Sequence, residues 1–275
     1  MRTIVVPVDF ITDSLNALHY AADMASATHC DLMIVHVYPY AVALTEVAVA
    51  MYTTDMLAEE AETKLAELKE QIITRTGRRI KIHTLAKQGD IIESIKECCL
   101  GLNVYAVIMG RNDASAADRF LFGANTVSAV KKLSFPVIII PPGASFKGLH
   151  NVGIACDFRD VIETLPVAEI KNLIKELNAT LHVLHVSQET GDDFNSKTIE
   201  ESGWFQDLMG DLSPKYHFIK GSDPEKEIIA FADKHHLDLL IVIPRKHDLL
   251  EKIFRHSHSK QLVLHAHVPV MAIHE

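Results

Sequence analysis

Two glycines and the residues around them carry the plainest chemical suggestion in this chain of 275 residues. The run MGRNDASAADRFLFGANT (109–126) follows an apolar β-type stretch, and Gly110 and Gly123 bracket a loop that leads into a helix expected to begin near Asn125. Glycine lets the backbone approach a phosphate closely, and a helix start offers unpaired amides and the positive end of a dipole. Together they form a phosphate cradle, although two glycines thirteen residues apart also mark an ordinary strand-to-helix loop.

Other reactive side chains fall short of a site. Sixteen histidines include the close pairs His235/His236, His256/His258 and His265/His267, but none has the helical i, i+4 spacing with a third ligand that marks a zinc site, so no metal is expected. Adjacent Cys98 and Cys99 point about 100° apart on a helix and read as buried thiols rather than a redox pair. The motifs GxxxxGK[ST], GxSxG and HExxH are missing, so no catalytic residue is assigned and the chain is not read as an enzyme. A basic run, Arg245, Lys246, Lys252, Arg255 and Lys260, is either an anion site or, the reading we favour, a solvated surface.

These residues sit in a chain that contains itself twice. TIVVPVDF (3–10) returns as NVGIACDF (151–158), and DLMIVHVY (31–38) as TLHVLHVS (180–187) with His36 and His185 in the same place. KIHTLAKQGD (81–90) is echoed by YHFIKGSDP (216–224), VYAVIMGR (104–111) by LDLLIVIPR (237–245), and FPVIIIP (135–141) by VPVMAIH (268–274). Asp9 to Asp157 is 148 residues, His36 to His185 is 149, and Asp90 to Asp223 and Pro136 to Pro269 are each 133. One deletion, between the second and third strands of the second copy, accounts for the change. The expected domains are 1–142 and 151–275, joined by a linker at 143–150.

Within a copy, residues 3–8, 32–37, 80–85, 105–109 and 137–140 are short β-branched apolar runs, as expected of strands buried on both faces of a parallel sheet. Between them lie helical stripes, Leu15, Leu18, Ala22 and Ala25 in one, Leu57, Ala61, Leu65, Leu68 and Ile72 in another. Asp90 and Asp223 are placed to cap a further helix in each copy, the second followed by Pro224. Alternating β and α elements give an α/β fold of two tandem, open, doubly wound parallel sheets, whose ligands bind beyond the carboxyl ends of the strands.

The order PVDF, IVHV, MGR, a glycine before a short helix, then FPVIII resembles the universal stress protein family across the whole first copy, and the second copy follows the same outline. The resemblance implies five-stranded sheets of order 3-2-1-4-5, of the Rossmann-like, adenine nucleotide alpha hydrolase-like type. It implies ATP or another adenine nucleotide, with Mg2+ as a companion ion. Adenosine would lie against Pro7, Val8, Asp9 and Val37, and the phosphates against Met109, Gly110, Arg111, Gly123, Ala124, Asn125 and Thr126. Nucleotide-binding members read Gly, two residues, Gly, nine residues, Gly, then Ser or Thr. Here Asp113 stands at the middle glycine and Ala124 at the first hydroxyl. A carboxylate ~5 Å from a phosphate costs on the order of 3 kcal/mol per unit charge at an effective dielectric of 20. It is tolerated if Asp113 points outward, shares Mg2+ with the phosphates, or is neutralised by Arg111. The second copy has no glycine after Gly221, so no phosphate loop of this kind is expected there.

Bulk properties bound the partners. A formal charge of -9 disfavours nucleic acid and anionic membranes, and no apolar run reaches the ~18 residues of a membrane span. With four cysteines and no signal-peptide layout, a cytoplasmic location is expected. The apolar segment 38–52 reads as a lid, a subunit contact or ordinary core. By resemblance, the FPVIIIP and VPVMAIH strands pair antiparallel, as an internal pseudo-dimer or in a homodimer. The expected role is regulatory, an adenine nucleotide held in the first half and the occupied state read by a protein partner of unknown identity. A nucleotide-free scaffold is the alternative, and slow ATP hydrolysis a more distant one.

Overall fold

The computed structural model describes residues 1–40, 54–111, 119–158, 160–187, 196–244 and 258–274, and within these the side chains of 119–124, 196–199 and 258–260 are left aside. The segment 41–53, Asp113 and the basic residues Arg245 to Arg255 therefore lie outside the described residues. The chain divides into two compact units, Met1–Phe135 and Pro136–Glu275.

In the first unit, β1 (Arg2–Val8), β2 (Asp31–Tyr38), β3 (Ile82–Gln88) and β4 (Asn103–Gly110) pair in parallel in the order β3-β2-β1-β4. The expected runs were found, three of them extended by one or two residues at one or both ends, while the third, expected at 80–85, is shifted to Ile82–Gln88. Ile4, Val5, Val6, Leu32, Ile34, Val35, Ala106, Val107 and Ile108 are wholly buried, which is why these runs do not alternate with polar residues. α1 (Thr12–Thr28) and α2 (Thr54–Thr76) bury the expected stripes, Leu18, Ala22 and Ala25 in the former and Ala61, Leu65, Leu68 and Ile72 in the latter. Each buried Leu or Ile contributes about 1.5–3 kcal/mol relative to exposure. α3 (Ile91–Cys99) starts on the cap read from the sequence, the Asp90 carboxylate accepting from the amides of Ile92 and Glu93.

The second unit repeats the plan with β6 (Asn151–Ala155), β7 (Thr180–Ser187), β8 (Lys215–Lys220) and β9 (Leu239–Val242), paired β8-β7-β6-β9, with β10 (Val270–Ala272) parallel to β9. The last strand of the first copy, β5 (Val137–Ile140), belongs to this unit and pairs antiparallel with β10, Ile139 opposite Val270. The first expected domain runs to residue 142, whereas the compact units divide one strand earlier, at 135/136. α8 (Pro224–Lys234) opens on Asp223, which accepts from Lys226 N, with Pro224 in its first turn.

One register departs from the ungapped matching of the repeats. Val35 faces Leu85 in the first unit and Leu184 faces His217 in the second, so Leu85 and His217 are counterparts, 132 apart. Gly89 N and Gly221 N likewise donate to the last residues of their neighbouring strands, Tyr38 O and Ser187 O. An extra residue, Ser222, precedes the Asp223 cap.

Candidate functional site

In the first unit the sheet continues in one direction from β1 to β2 and in the other to β4, and the crevice beyond such a switch point is where open α/β sheets take ligands. A cleft of about 90 Å3 lies there. Its apolar wall is Pro7, Val8, Val37, Ile91 and Met109, and its polar groups include Asp9, Asp13, Ser14, Asn125 and Thr126.

Local backbone chemistry builds the Asp9 corner. After β1 the chain turns through Phe10 at φ 65, a conformation costly for an aromatic residue and so dependent on its surroundings. Ile11 N–H donates to Asp9 Oδ1 at 3.2 Å, Asp9 N–H donates to Ser14 Oγ at 3.2 Å, and the Ser14 hydroxyl donates to Ile11 O at 3.0 Å. His36 Nδ1 bonds Val8 O at 2.7 Å and its ring lies 4.4 Å from that of Phe10. His36 is thus a structural histidine that clamps the turn.

Gly110 has a packing reason as well as a chemical one. A Cβ built on it falls 2.3 Å from Asp13 O and 2.7 Å from Asp13 C, so only glycine lets the end of β4 meet the first turn of α1.

Of the residues singled out in the sequence, Pro7, Val8, Asp9, Val37, Met109, Gly110, Asn125 and Thr126 line the cleft. Arg111 is buried, 7% exposed, and is not among the lining residues. The helix expected near Asn125 begins earlier: α4 spans Arg119–Lys132, so Gly123, Ala124, Asn125 and Thr126 stand inside it rather than before it. Only the first four amides of a helix lack an intrahelical partner, so the main chain from Gly123 onward is not a free anion cradle in this state.

Four lining residues were missed, Ile11, Asp13, Ser14 and Ile91. Ile91 was within reach, since a residue opening a helix directly after a parallel strand lies at that strand's carboxyl edge. Ser14 needed the Asp9 turn to be known.

The second unit keeps the clamp and loses the cleft's fittings. Phe158 repeats the left-handed turn at φ 49, and His185 Nδ1 bonds Cys156 O at 3.0 Å with its ring 5.0 Å from Phe158. Asp157 is exposed. Ile162, 59% exposed, stands where Ser14 does, and Ile243 where Gly110 does. The single α1 is replaced by α5 (Val161–Thr164) and α6 (Val167–Leu177), interrupted at Pro166. Glu201, 2% exposed, accepts from Val161 N–H at 2.8 Å at the start of α5.

Among the described residues no group of three His, Cys, Asp or Glu is arranged to hold a metal ion, and no helix is long and apolar enough to cross a membrane. Burial, and then neighbouring Cys98, pushes the Cys99 thiol up to about 12, so it is not a thiolate at neutral pH.

The family model described as Universal stress protein family matches residues 1–141 and 210–274. The fold is similar over 99% of the chain to a universal stress protein from Archaeoglobus fulgidus DSM 4304, with 98% of that chain covered, a TM-score of 0.75 and 20% identity. A functionally unknown protein from Pseudomonas aeruginosa PAO1 is similar at TM-score 0.65 and 13% identity, with 99% of this chain and 92% of that one covered. A putative universal stress protein from Pseudomonas aeruginosa UCBPP-PA14 is similar at 0.64 and 12%, with 99% and 93% covered. No curated protein matches the chain.

Proposed function

The chain belongs to the universal stress protein family, and from that premise we propose that it is a cytoplasmic regulatory protein that binds ATP or a related adenine nucleotide in its first unit and catalyses no reaction. The observation that carries this reading is the cleft beyond β1 and β4, an apolar slot with the Asp9 carboxylate held at its edge by the Ile11 amide and the Asp9 main chain held by Ser14 Oγ. The base would enter between Val8, Val37 and Met109, and Asp9 would accept hydrogen bonds from the nucleoside. At about 90 Å3 the cleft is well under the ~300 Å3 of a whole-ligand pocket, so the phosphates must run outside it, past Gly110 toward α4. Mg2+ would offset the charge of Asp9 and Asp13 there. The second unit, with Ile162 and Ile243 in place of Ser14 and Gly110, would bind none.

Isothermal titration with ATP and Mg2+ tests the reading. Heat at protein concentrations near ~100 µM, roughly ten times a micromolar-range affinity, is the expected result, and its absence overturns it. Nucleotide carried through purification, seen by mass spectrometry, would support it.

A specific observation favours a second reading, a nucleotide-free scaffold recognised by a protein partner. α4 already incorporates Gly123 to Thr126, which leaves their amides engaged. In that case Asp113→Gly, which restores the family's glycine, would create binding that the unaltered chain lacks.

A further inference from the structure

Three histidines meet in the second unit between the sheet and α8. His182 on β7 and His217 on β8 stack nearly parallel, ring centroids 5.2 Å apart at 9°. His217 lies 4.6 Å from the Phe231 ring of α8 and 6.0 Å from His235, and His235 at the end of α8 stacks on Phe231 at 4.0 Å. His182 is 7% exposed, His217 is half-buried and His235 is exposed.

The hydrogen bonds fix which nitrogens carry protons. His182 Nε2 lies 3.3 Å from Asn151 Oδ1, an acceptor, so this nitrogen donates. In the neutral ring Nδ1 is then the acceptor, and it takes a hydrogen bond from His217 Nε2–H at 3.0 Å. A second proton on His182 would set two N–H groups against each other across that distance.

Among the described residues no carboxylate is seen to answer the charge that protonation would bring. Lys215 on β8 and His235 act on the His182–His217 pair with the same sign. Asp233 on α8 is engaged by His267 at 2.9 Å, and Asp238 by the amides of His150 and Asn151. Glu225, Lys226 and Glu227 belong to the first turn of α8, at the opposite end from His235, and Lys234 and, on α9 (His258–His265), His265 are exposed. Desolvation, then His217, Lys215 and His235, holds His182 below the ordinary 6.5, and burial, then His235 and Lys215, does the same to His217.

We propose that this cluster is a pH-sensitive clasp, which holds α8 on β7 and β8 while His182 and His217 are neutral and releases it as that pair takes up protons. Above about 6.5 the His182 and His217 rings are neutral in both the folded and the unfolded state and the clasp contributes in full. Below it the released state takes up protons that the packed rings refuse, so the packed state loses ground as pH falls, until the packed rings themselves titrate. The matching positions of the first unit carry no such cluster. Met33 stands at the place of His182, Leu85 at that of His217, and Cys98 at that of Phe231.

Hydrogen exchange of the full chain from about pH 8 to pH 5, corrected for the intrinsic rate, tests the clasp. Protection of α8 should fall by up to about tenfold per pH unit for each proton refused, while α3, its counterpart, keeps its protection. Equal loss in both helices, or none in α8, overturns the proposal. A double variant carrying the first unit's residues, His182→Met with His217→Leu, should remove the pH dependence of α8, and a folded variant that retains it counts against the clasp. Should the variant not fold, ring titration by NMR of the unaltered protein decides: His182 titrating below 6.5 supports the clasp, and at or above 6.5 overturns it.

Discussion

Two copies of one plan close the first strand on the same clamp and then diverge in the helix that follows. Both turn through a left-handed phenylalanine clamped by a histidine that bonds the carbonyl two residues before it. In the first copy Ser14 then ties the Asp9 amide into the start of an unbroken helix, and Gly110 lets that helix touch the sheet. In the second, Ile162 and Ile243 occupy those places, the helix breaks at Pro166, and a buried glutamate caps the short remnant. The difference teaches that the histidine and phenylalanine serve the fold, whereas the serine and glycine shape the cleft.

The sharpest way to break that distinction is at Gly110. Alanine there places a Cβ 2.3 Å from the Asp13 carbonyl, against backbone that cannot rotate away. We expect Gly110→Ala to destabilise the first unit by about 3 kcal/mol, by urea unfolding, as overpacking at a rigid contact does. Ile243→Ala at the matching position should cost clearly less. Equal losses would mean that the close approach of α1 is not special to the first copy.

Next in size is Asp9→Ala. If the carboxylate receives hydrogen bonds from a nucleoside, its loss should weaken binding by about 2 kcal/mol, roughly thirtyfold in Kd by titration calorimetry. Stability should change little, since Asp9 is exposed and Ser14 still accepts from the residue 9 amide. Unchanged affinity would remove Asp9 from the site.

What was legible in the sequence was the part fixed by local chemistry. Continuous apolar runs marked β1, β2, β4 and β5 because burial on both faces forbids polar alternation, whereas β3, with only Ile82 buried, is polar along much of its length; Asp90 and Asp223 announced their helices because a capping carboxylate needs only the next three residues. The rest depended on contacts distant along the chain. Gly110 was read for phosphate alone because its contact is with Asp13, far away in sequence. The start of α4 was set too late because Gly123, which costs a helix about 1 kcal/mol, looked like a boundary, yet helix runs through it. His182 and His217, 35 residues apart, come together only through the β7–β8 register, which the extra Ser222 hides from ungapped matching.

Smaller effects are expected at the clamps, and these should be alike in kind. His36→Ala leaves Val8 O without its partner, and His185→Ala does the same to Cys156 O. Each should cost about 1–2 kcal/mol in unfolding experiments, His185 the more because it is 6% exposed and also meets Phe218. Neither substitution should alter ligand specificity. A nucleotide affinity that depends on His36 far beyond its effect on stability would move it from the fold to the site.

The smallest expected effect is the most discriminating, Asp157→Ala. Asp157 is the counterpart of Asp9, but it is exposed, and the Ser14 hydroxyl that orders the first loop has Ile162 in its place. Ile162 cannot accept a hydrogen bond from the main chain as the Ser14 hydroxyl does, so the second loop lacks that device for holding a ligand-ready geometry. Nucleotide stoichiometry should therefore stay at one per chain, and both affinity and melting temperature should be unchanged within error. A fall in stoichiometry on this substitution would show that the second copy still binds, and that Ser14 and Gly110 are not what separates a working cleft from a vestigial one.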